Sequence, residues 1–452
     1  MKKILLFFIL WVFTQMNAQD YWTEYATSSP ISGTGVRSIS IVDDNVVWLN
    51  LQTELIPNSL RRYARSVDSG LTWENANVDL GADSSNLEIA NICGVSATTA
   101  YAAVFPKTGS VSGGVWKTTD GGTNWSKQLT ADFSNATSFP TLIHFWNENE
   151  GVVVGDPADG YFEIYTTVNG GSNWTRVPFS SDLVPFLDDE FPIINRFVVH
   201  NNTIWAVTSL HRILKSSDKG LTWTVLNTPI PVFGGALMWD DTIEIAFTTE
   251  NKGILIGKDY SVYETNDGGL SWQQITYSGA LRNKGLSVIP GQLDTYIVVG
   301  ETEVDAERGS SYTIDGGLTW IDINNNPDTN YVTGDEIVMR SLMLGFAGGF
   351  SVSPSVGGIF RWGLPCWCSI FTDFNTQKSI KVCPNPTTDF VNVYGDTIQK
   401  ITVVDAFGKL ISESNYFAVD KAVINLSTME KGVYFAQIVD GSSKYSIKVL
   451  KI

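Results

Sequence analysis

Charge is scarce in this sequence. Only 17% of its 452 residues are charged, against about a quarter in an average globular protein. The shortage is mostly of cations: 30 Lys and Arg stand against 47 Asp and Glu, a formal net charge of −17. Such a chain is poorly suited to a phosphate backbone, so nucleic acid is not expected as a partner. There are 3 His and 4 Cys, and none has metal-ligand spacing, so neither a metal nor a cofactor is expected. A Gly-rich phosphate loop, a nucleophile elbow, a Ser-His-Asp order and a paired-carboxylate motif are all missing, so no catalytic residue is assigned. Beyond the N-terminus, no apolar run approaches the roughly 18 residues that span a bilayer. What remains is plentiful: 43% apolar residues, 12% aromatics with 15 Trp, and 40 Gly. This composition fills a large core, excludes global disorder, and favours β-structure with many turns. The length exceeds one ordinary compact domain.

The N-terminus reads as an address. Met1-Lys2-Lys3 is followed by ten apolar residues, Ile4 to Phe13, and then by Thr14 to Gln19. This is the pattern of a secretory signal peptide over residues 1–18, cut between Ala18 and Gln19. Secretion permits disulfides. Cys366 and Cys368 are too close in sequence for a good mutual bridge. The thiols are either incidental or include one bridge from Cys366 or Cys368 to Cys383.

One eight-residue pattern recurs: Ser/Thr, any, Asp, any, Gly, any, any, Trp. Its Asp and Trp positions are Asp68 and Trp73, Asp120 and Trp125, Asn169 and Trp174, Asp218 and Trp223, Asp267 and Trp272, and Asp315 and Trp320. The Asp positions are 52, 49, 49, 49 and 48 residues apart. The chemistry suits a hairpin turn. The hydroxyl and carboxylate accept turn N–H groups, Gly adopts positive φ, and Trp opens the next strand while its N–H seeks a partner. Asn169 keeps the acceptor without the charge, so that turn is expected to survive. Strand-like runs precede the turns, such as 36–41, 45–51 and 61–65, or 195–200, 204–208 and 212–215.

The pattern resembles the Asp-box, or bacterial neuraminidase repeat, of β-propellers. Three strands, a turn and a fourth strand then make one blade. Gly358-Ile359-Phe360-Arg361 repeats Gly114-Val115-Trp116-Lys117, but no box follows it. Tyr21-Trp22-Thr23-Glu24 resembles a strand that follows a box. The chain thus begins with a fourth strand and ends the array with a third, and the two complete a seventh blade. Residues 21–363 span 343 positions, seven periods of 49. The expected fold is all-β: a seven-bladed propeller over residues 19–363, a linker over 364–379, and a small β-sandwich over 380–452. The propeller resembles the photosystem II stability/assembly factor type.

The C-terminal segment alternates strands with polar turns. It holds Pro384-Asn385-Pro386, the Asp405-Ala406-Phe407-Gly408 hairpin, Gly432-Val433-Tyr434 and a basic last strand. It resembles the type A C-terminal sorting domain of the type IX secretion system in Bacteroidetes. That resemblance implies the type IX machinery as a partner, export across the outer membrane, and a cell-surface or extracellular location.

Asp-boxes also occur in sialidases, whose activity the resemblance would imply. Those enzymes use three arginines, a Tyr nucleophile with a Glu partner, and an acid/base Asp. The Arg-Ile-Pro motif of that class is absent, and Arg37, Arg196, Arg282, Arg308, Arg340 and Arg361 are scattered. The richest local feature is His144 to Phe162, where Gly155-Asp156-Pro157 is expected to present Asp156 at a loop. Asp156, Asp159 and Arg196 are the candidate ligand-binding residues, for a cation or a sugar hydroxyl; the alternative is that Asp156 and Asp159 only shape a turn. His144, His200 and His211 are read as core or surface histidines. Asp188-Asp189-Glu190 is read as a solvated acidic loop, or else a Ca²⁺ site. The expected function is a secreted binding or scaffold protein that recognises a protein or a glycan. The alternative is a glycoside hydrolase on the same propeller.

Overall fold

The computed structural model describes residues 21–53, 61–107, 111–135, 137–231, 243–300, 308–323, 336–363, 369–372, 379–383, 385, 387 and 389–451. The signal segment with Ala18 and Gln19, together with Pro384 and Pro386, lies outside these residues. The chain divides into two compact units, Met1–Gly363 and Leu364–Ile452.

The first unit is a seven-bladed propeller of four-stranded antiparallel blades, with the short strand Ser278–Gly279 added in parallel to the outer strand of blade 6. Blade 1 is Gly35–Ile41, Val47–Gln52, Arg62–Ser66 and Glu74–Asn77. Blade 2 is Leu87–Gly94, Ala100–Pro106, Gly114–Thr118 and Ser126–Gln128. Blade 3 is Pro140–Phe145, Gly151–Ala158, Tyr161–Thr167 and Thr175–Arg176. Blade 4 is Pro192–His200, Thr203–Thr208, Ile213–Ser216 and Thr224–Leu226. Blade 5 is Glu244–Phe247, Gly253–Ile256, Val262–Thr265 and Gln273–Ile275. Blade 6 is Gly285–Val288, Tyr296–Val299, Ser310–Thr313 and Thr319–Asp322. Blade 7 joins Ile337–Ser341, Leu344–Ser353 and Val356–Trp362 to the N-terminal strand Trp22–Ala26. Trp22 pairs with Trp362 and Ala26 with Gly358, so the two ends of the array close the ring. Closure gives the third strand Val356–Trp362 the outer partner that the chain's C-terminal side of the array does not supply.

The core is a series of layers between neighbouring blades. Trp48 and Tyr63 of blade 1 pack on Ile89, Ile92 and Trp116 of blade 2. Val36 and Leu49 of blade 1 pack on Phe346 and Ile359 of blade 7. Trp48, Trp116, Trp205 and Trp362 are buried. A buried aromatic removes some 150–250 Å² from water, so these rings are scaffold.

The six repeated turns share one geometry. The Gly70 N–H donates to Ser66 Oγ at 2.8 Å, and the Thr72 N–H donates to Asp68 Oδ1 at 2.9 Å. The same two bonds recur at Gly122 and Asn124, Gly171 and Asn173, Gly220 and Thr222, Gly269 and Ser271, and Gly317 and Thr319. The tryptophans divide. The Nε1–H of Trp73, Trp125 and Trp223 donates to the turn's Gly carbonyl, whereas that of Trp174, Trp272 and Trp320 has no hydrogen-bond partner among the described residues. Four of the turns also latch blades together through the carbonyl just before their recurring Gly. Tyr63 donates to Gly121 O, Tyr101 and Lys117 to Gly170 O, Trp205 and Lys215 to Gly268 O, and Arg361 to Ser69 O. Each donor belongs to the blade before the turn.

The second unit is a small β-sandwich made from one sheet. Two long strands, Phe390–Asp405 and Leu410–Asn425, pair along their lengths with register breaks near Ile398. The first half of Phe390–Asp405 pairs with Ser379–Cys383 and its second half with Gly432–Asp440. Alternate residues from all these strands and from Ser443–Lys451 meet in one core that includes Val382, Val393, Ile401, Ile424, Ala436 and Ile447. Within the stretch read as linker, Ser369–Thr372 forms a further strand on Ser379–Cys383. Cys383 is disulfide-bonded, and Cys93 is free and buried.

Candidate functional site

The first strands of all seven blades line a central cavity of about 320 Å³. Small polar side chains stitch these strands together. Asn91 of blade 2 exchanges two bonds with the backbone of Ile143 in blade 3. Ser38 and Ser40 accept the N–H groups of Ile92 and Gly94, and Ser287 accepts that of Met339.

The channel is crossed by blade 4. The strand Pro192–His200 breaks register between Pro192 and Phe197, and Asn195 sits there with φ +57°. Asn is among the few non-glycine residues that accept this left-handed conformation. From it, the Asn195 amide donates to Arg37 O of blade 1 at 3.0 Å and to Glu336 Oε2 beside blade 7 at 2.8 Å. The neighbouring Arg196 pairs with Glu244 of blade 5 at 3.1 Å. Arg37 pairs with Glu88 at 2.7 Å. Arg196 thus faces the cavity, with its guanidinium bound to another blade. Outside the cavity lining, Arg340 pairs with Asp44 and Arg282 with Asp322, so no arginine triad forms among these.

Asp156 lies inside the second strand of blade 3, not at a loop, at the bulge between Gly155 and Pro157. Its Oδ1 is buried without a hydrogen-bond partner among the described residues. Burial, reinforced by the nearby Glu163 charge, holds its carboxyl well above the usual range. Glu163, across the strand pair, is also buried and raised by burial, while the Ser138 and Tyr165 hydroxyls bond to its oxygens. Asp159 occupies the following turn with φ +60° and bonds Arg176 at 2.7 Å and Asn135 at 3.2 Å. Asp156, Asp159 and Glu163 therefore gather at one end of blade 3, away from Arg196 and outside the cavity lining. Among the described residues, no His/Cys/Asp/Glu group is arranged to hold a metal ion. His144 packs edge-on against Trp146, and burial lowers its pKa to about 4, so it stays neutral.

The acidic loop differs from its reading as solvated surface. Asp188 and Asp189 are exposed, but Glu190 is buried. It accepts Thr208 Oγ1 at 2.6 Å, Arg212 Nε at 3.0 Å and the Phe186 N–H at 2.7 Å. Sequence reasoning also missed Glu163 and Asn195. The signal for Glu163 was a carboxylate set between Phe162 and Ile164 in a buried strand; for Asn195 it was an amide after Ile193-Ile194.

In the second unit, Asn385 donates to Lys448 O at 2.6 Å, and the Tyr434 hydroxyl donates to Glu430 O at 2.8 Å. Gly432 opens the strand that carries Tyr434. The Asp405 carboxylate closes its hairpin by accepting the Phe407 and Lys409 N–H groups, both at 2.9 Å.

Residues 381–452 match the family model of the secretion system C-terminal sorting domain. That domain marks the chain for type IX export to the cell surface or the extracellular space. No curated protein matches the sequence significantly. The chain is similar to the solved structure of YCF48 bound to D1 peptide, at 16% identity and a TM-score of 0.52, over 77% of this chain and 98% of that one. YCF48 from Cyanidioschyzon merolae is similar at 17% identity and a TM-score of 0.50, over 76% and 98%. The GH74 xyloglucanase from Xanthomonas campestris matches at 11% identity and a TM-score of 0.28, over 91% and 79%. The two YCF48 likenesses concern the propeller fold. Among the described residues, no helix is long and apolar enough to cross a membrane.

Proposed function

We propose that the propeller is a non-enzymatic binding module that recognises a polypeptide or a glycan outside the cell, delivered there by a signal peptide over residues 1–18 and by the sorting domain. The observation that carries this reading is how the charged groups of the channel are used. Arg196 is held by Glu244, Glu336 by Asn195, and Arg37 beside them by Glu88. An enzyme on this face needs an acid, a base or an arginine clamp aimed at substrate; here those groups hold blades together. The polypeptide option gains support from the fold likeness to YCF48, one structure of which is bound to D1 peptide. Asx and Ser/Thr turns on the other side explain the repeated Asp residues without substrate.

Glycoside hydrolysis is the second reading, favoured by one observation: Asp156 and Glu163 are two neighbouring carboxyls with raised pKa, as a general acid requires. A glycan array and a polysaccharide turnover screen on the full secreted chain separate the two. Binding without turnover is expected. Hydrolysis that disappears in Asp156→Asn would overturn the non-enzymatic reading.

A further inference from the structure

We propose that the connection between blades 3 and 4, residues 177–191, is the docking surface for an extended basic and apolar polypeptide segment. This rests on the reading of the propeller as a binding module and gives that reading a location and a partner chemistry.

Within nine residues this connection exposes Phe179 (64%), Val184 (40%), Phe186 (74%) and Leu187 (49%). Large apolar side chains clustered so closely on a surface usually mark an interaction site. They are held in place rather than dangling. Leu183 is buried and anchors the loop among Phe162, Ile164 and Trp223. Ser180 caps the short 3-10 turn Ser181–Leu183. The buried Glu190 carboxylate binds the Phe186 N–H and Arg212, and the Arg212 guanidinium lies 5.8 Å from the Phe186 ring. Phe179 meets Tyr161 edge-on at 5.6 Å, and Arg176 covers the Tyr161 ring at 4.4 Å. Rigid, displayed aromatics are the anchors that dominate binding energy, because little side-chain entropy remains to be lost.

The charge around these anchors selects the partner. Asp182, Asp188 and Asp189 are exposed on the same connection. The two nearby arginines are already neutralised, Arg176 by Asp159 and Arg212 by Glu190. The surface is therefore apolar with an acidic rim, complementary to Lys or Arg interleaved with apolar residues. A second copy of this chain would bring acidic rim against acidic rim, and an anionic membrane would be repelled in the same way.

Random 12-residue peptides displayed on phage, selected against the full secreted chain, test this. The expected result is a consensus of Lys or Arg among aromatic or aliphatic residues. Synthetic peptides of that consensus should bind roughly tenfold more weakly to a Phe179→Ser/Phe186→Ser variant. Asp188→Lys/Asp189→Lys should weaken them as well, and added salt should weaken binding to the native chain. Both phenylalanines are exposed, so an unchanged thermal midpoint confirms that the variant is folded. An acidic consensus, or affinity indifferent to both variants, overturns the proposal. So does self-association, or binding to phosphatidylglycerol vesicles, that depends on Phe179 and Phe186. Peptides that ignore this loop but respond to Glu336→Gln would leave the binding reading standing and remove this location. Failure to bind any peptide or glycan, with turnover of a polysaccharide, would remove the binding reading itself.

Discussion

Carboxylates in two regions of the propeller sit in opposite electrostatic settings. In the repeated turns they are exposed and surrounded by donors: the Ser271 hydroxyl and N–H hold Asp267 down to about 2. At the other end of blade 3, burial holds Asp156 and Glu163 above the usual range. The antiparallel order of the strands puts these two settings at opposite ends of the blades, since the turn joins strands three and four while Asp159 and Gly160 join strands two and three. The lesson is that periodicity separates scaffold from candidate site. The turns repeat because each joins the third and fourth strands of its blade, and four of them also latch the preceding blade. The exposed phenylalanines and the buried carboxyls lie in blade 3 and its following connection, outside the repeated turns.

The harshest way to break the scaffold side is Gly122→Ala. Gly122 has φ +96°, and a Cβ there would lie 2.3 Å from the Tyr63 ring. Tyr63 is itself buried and bonded to Gly121 O. Left-handed strain and overpacking together should cost about 2–4 kcal/mol, read as a lower urea midpoint. A loss below about 0.5 kcal/mol would mean that the turn yields freely and is not a latch.

The other side is probed by Asp156→Asn, with an effect of intermediate size and opposite sign. A carboxyl whose folded pKa is raised stabilises the fold fully below its unfolded value, near 3.8, and that contribution is lost as pH rises through the folded value. The native chain should therefore have a higher thermal midpoint at pH 5 than at pH 7.5 from this group. Asn, neutral at both, should raise the midpoint at pH 7.5 by a few degrees, each kcal/mol being worth about 2–4 °C in domains of moderate size, and should narrow the pH 5 to pH 7.5 difference. An unchanged difference would show that Asp156 is ionised in the fold.

The same division explains what the sequence made legible. The period of the Trp residues led to seven blades, and the out-of-phase ends, Trp22 and Phe360, led to ring closure. The Asp405 to Gly408 hairpin and the Gly432-Val433-Tyr434 strand led to the sorting domain. These signals are local, or they repeat. Asn195 was illegible as a cross-channel tie, because its acceptors lie 158 and 141 residues away. Asp156 was placed at a loop because Gly155 and Pro157 imitate turn chemistry; in the fold they make a bulge within a strand. Glu190 looked solvated beside Asp188 and Asp189, since nothing nearby in the sequence announces Arg212 as its partner.

The smallest effect comes from the one turn that departs from its siblings. In each of the other five turns the carboxylate accepts a side chain four residues on: Thr72, Asn124, Thr222, Ser271 or Thr319. Asn169 offers an amide N–H₂ at that point, so Asn173 makes only its backbone bond, at 2.9 Å. Asn173 matches Asn124, whose amide donates to Asp120 at 2.7 Å. Asn169→Asp should therefore create the missing charge-assisted bond and stabilise the chain by about 0.5 kcal/mol, a modest gain because the site is exposed. The new carboxylate, like that of Asp120, should titrate below the usual range. Its contribution is then present at pH 7 and lost as pH falls through the acid range, which urea midpoints at pH 7 and pH 3 can compare. A destabilised variant at pH 7 would show that the third turn needs its uncharged residue, and that the six turns are not interchangeable.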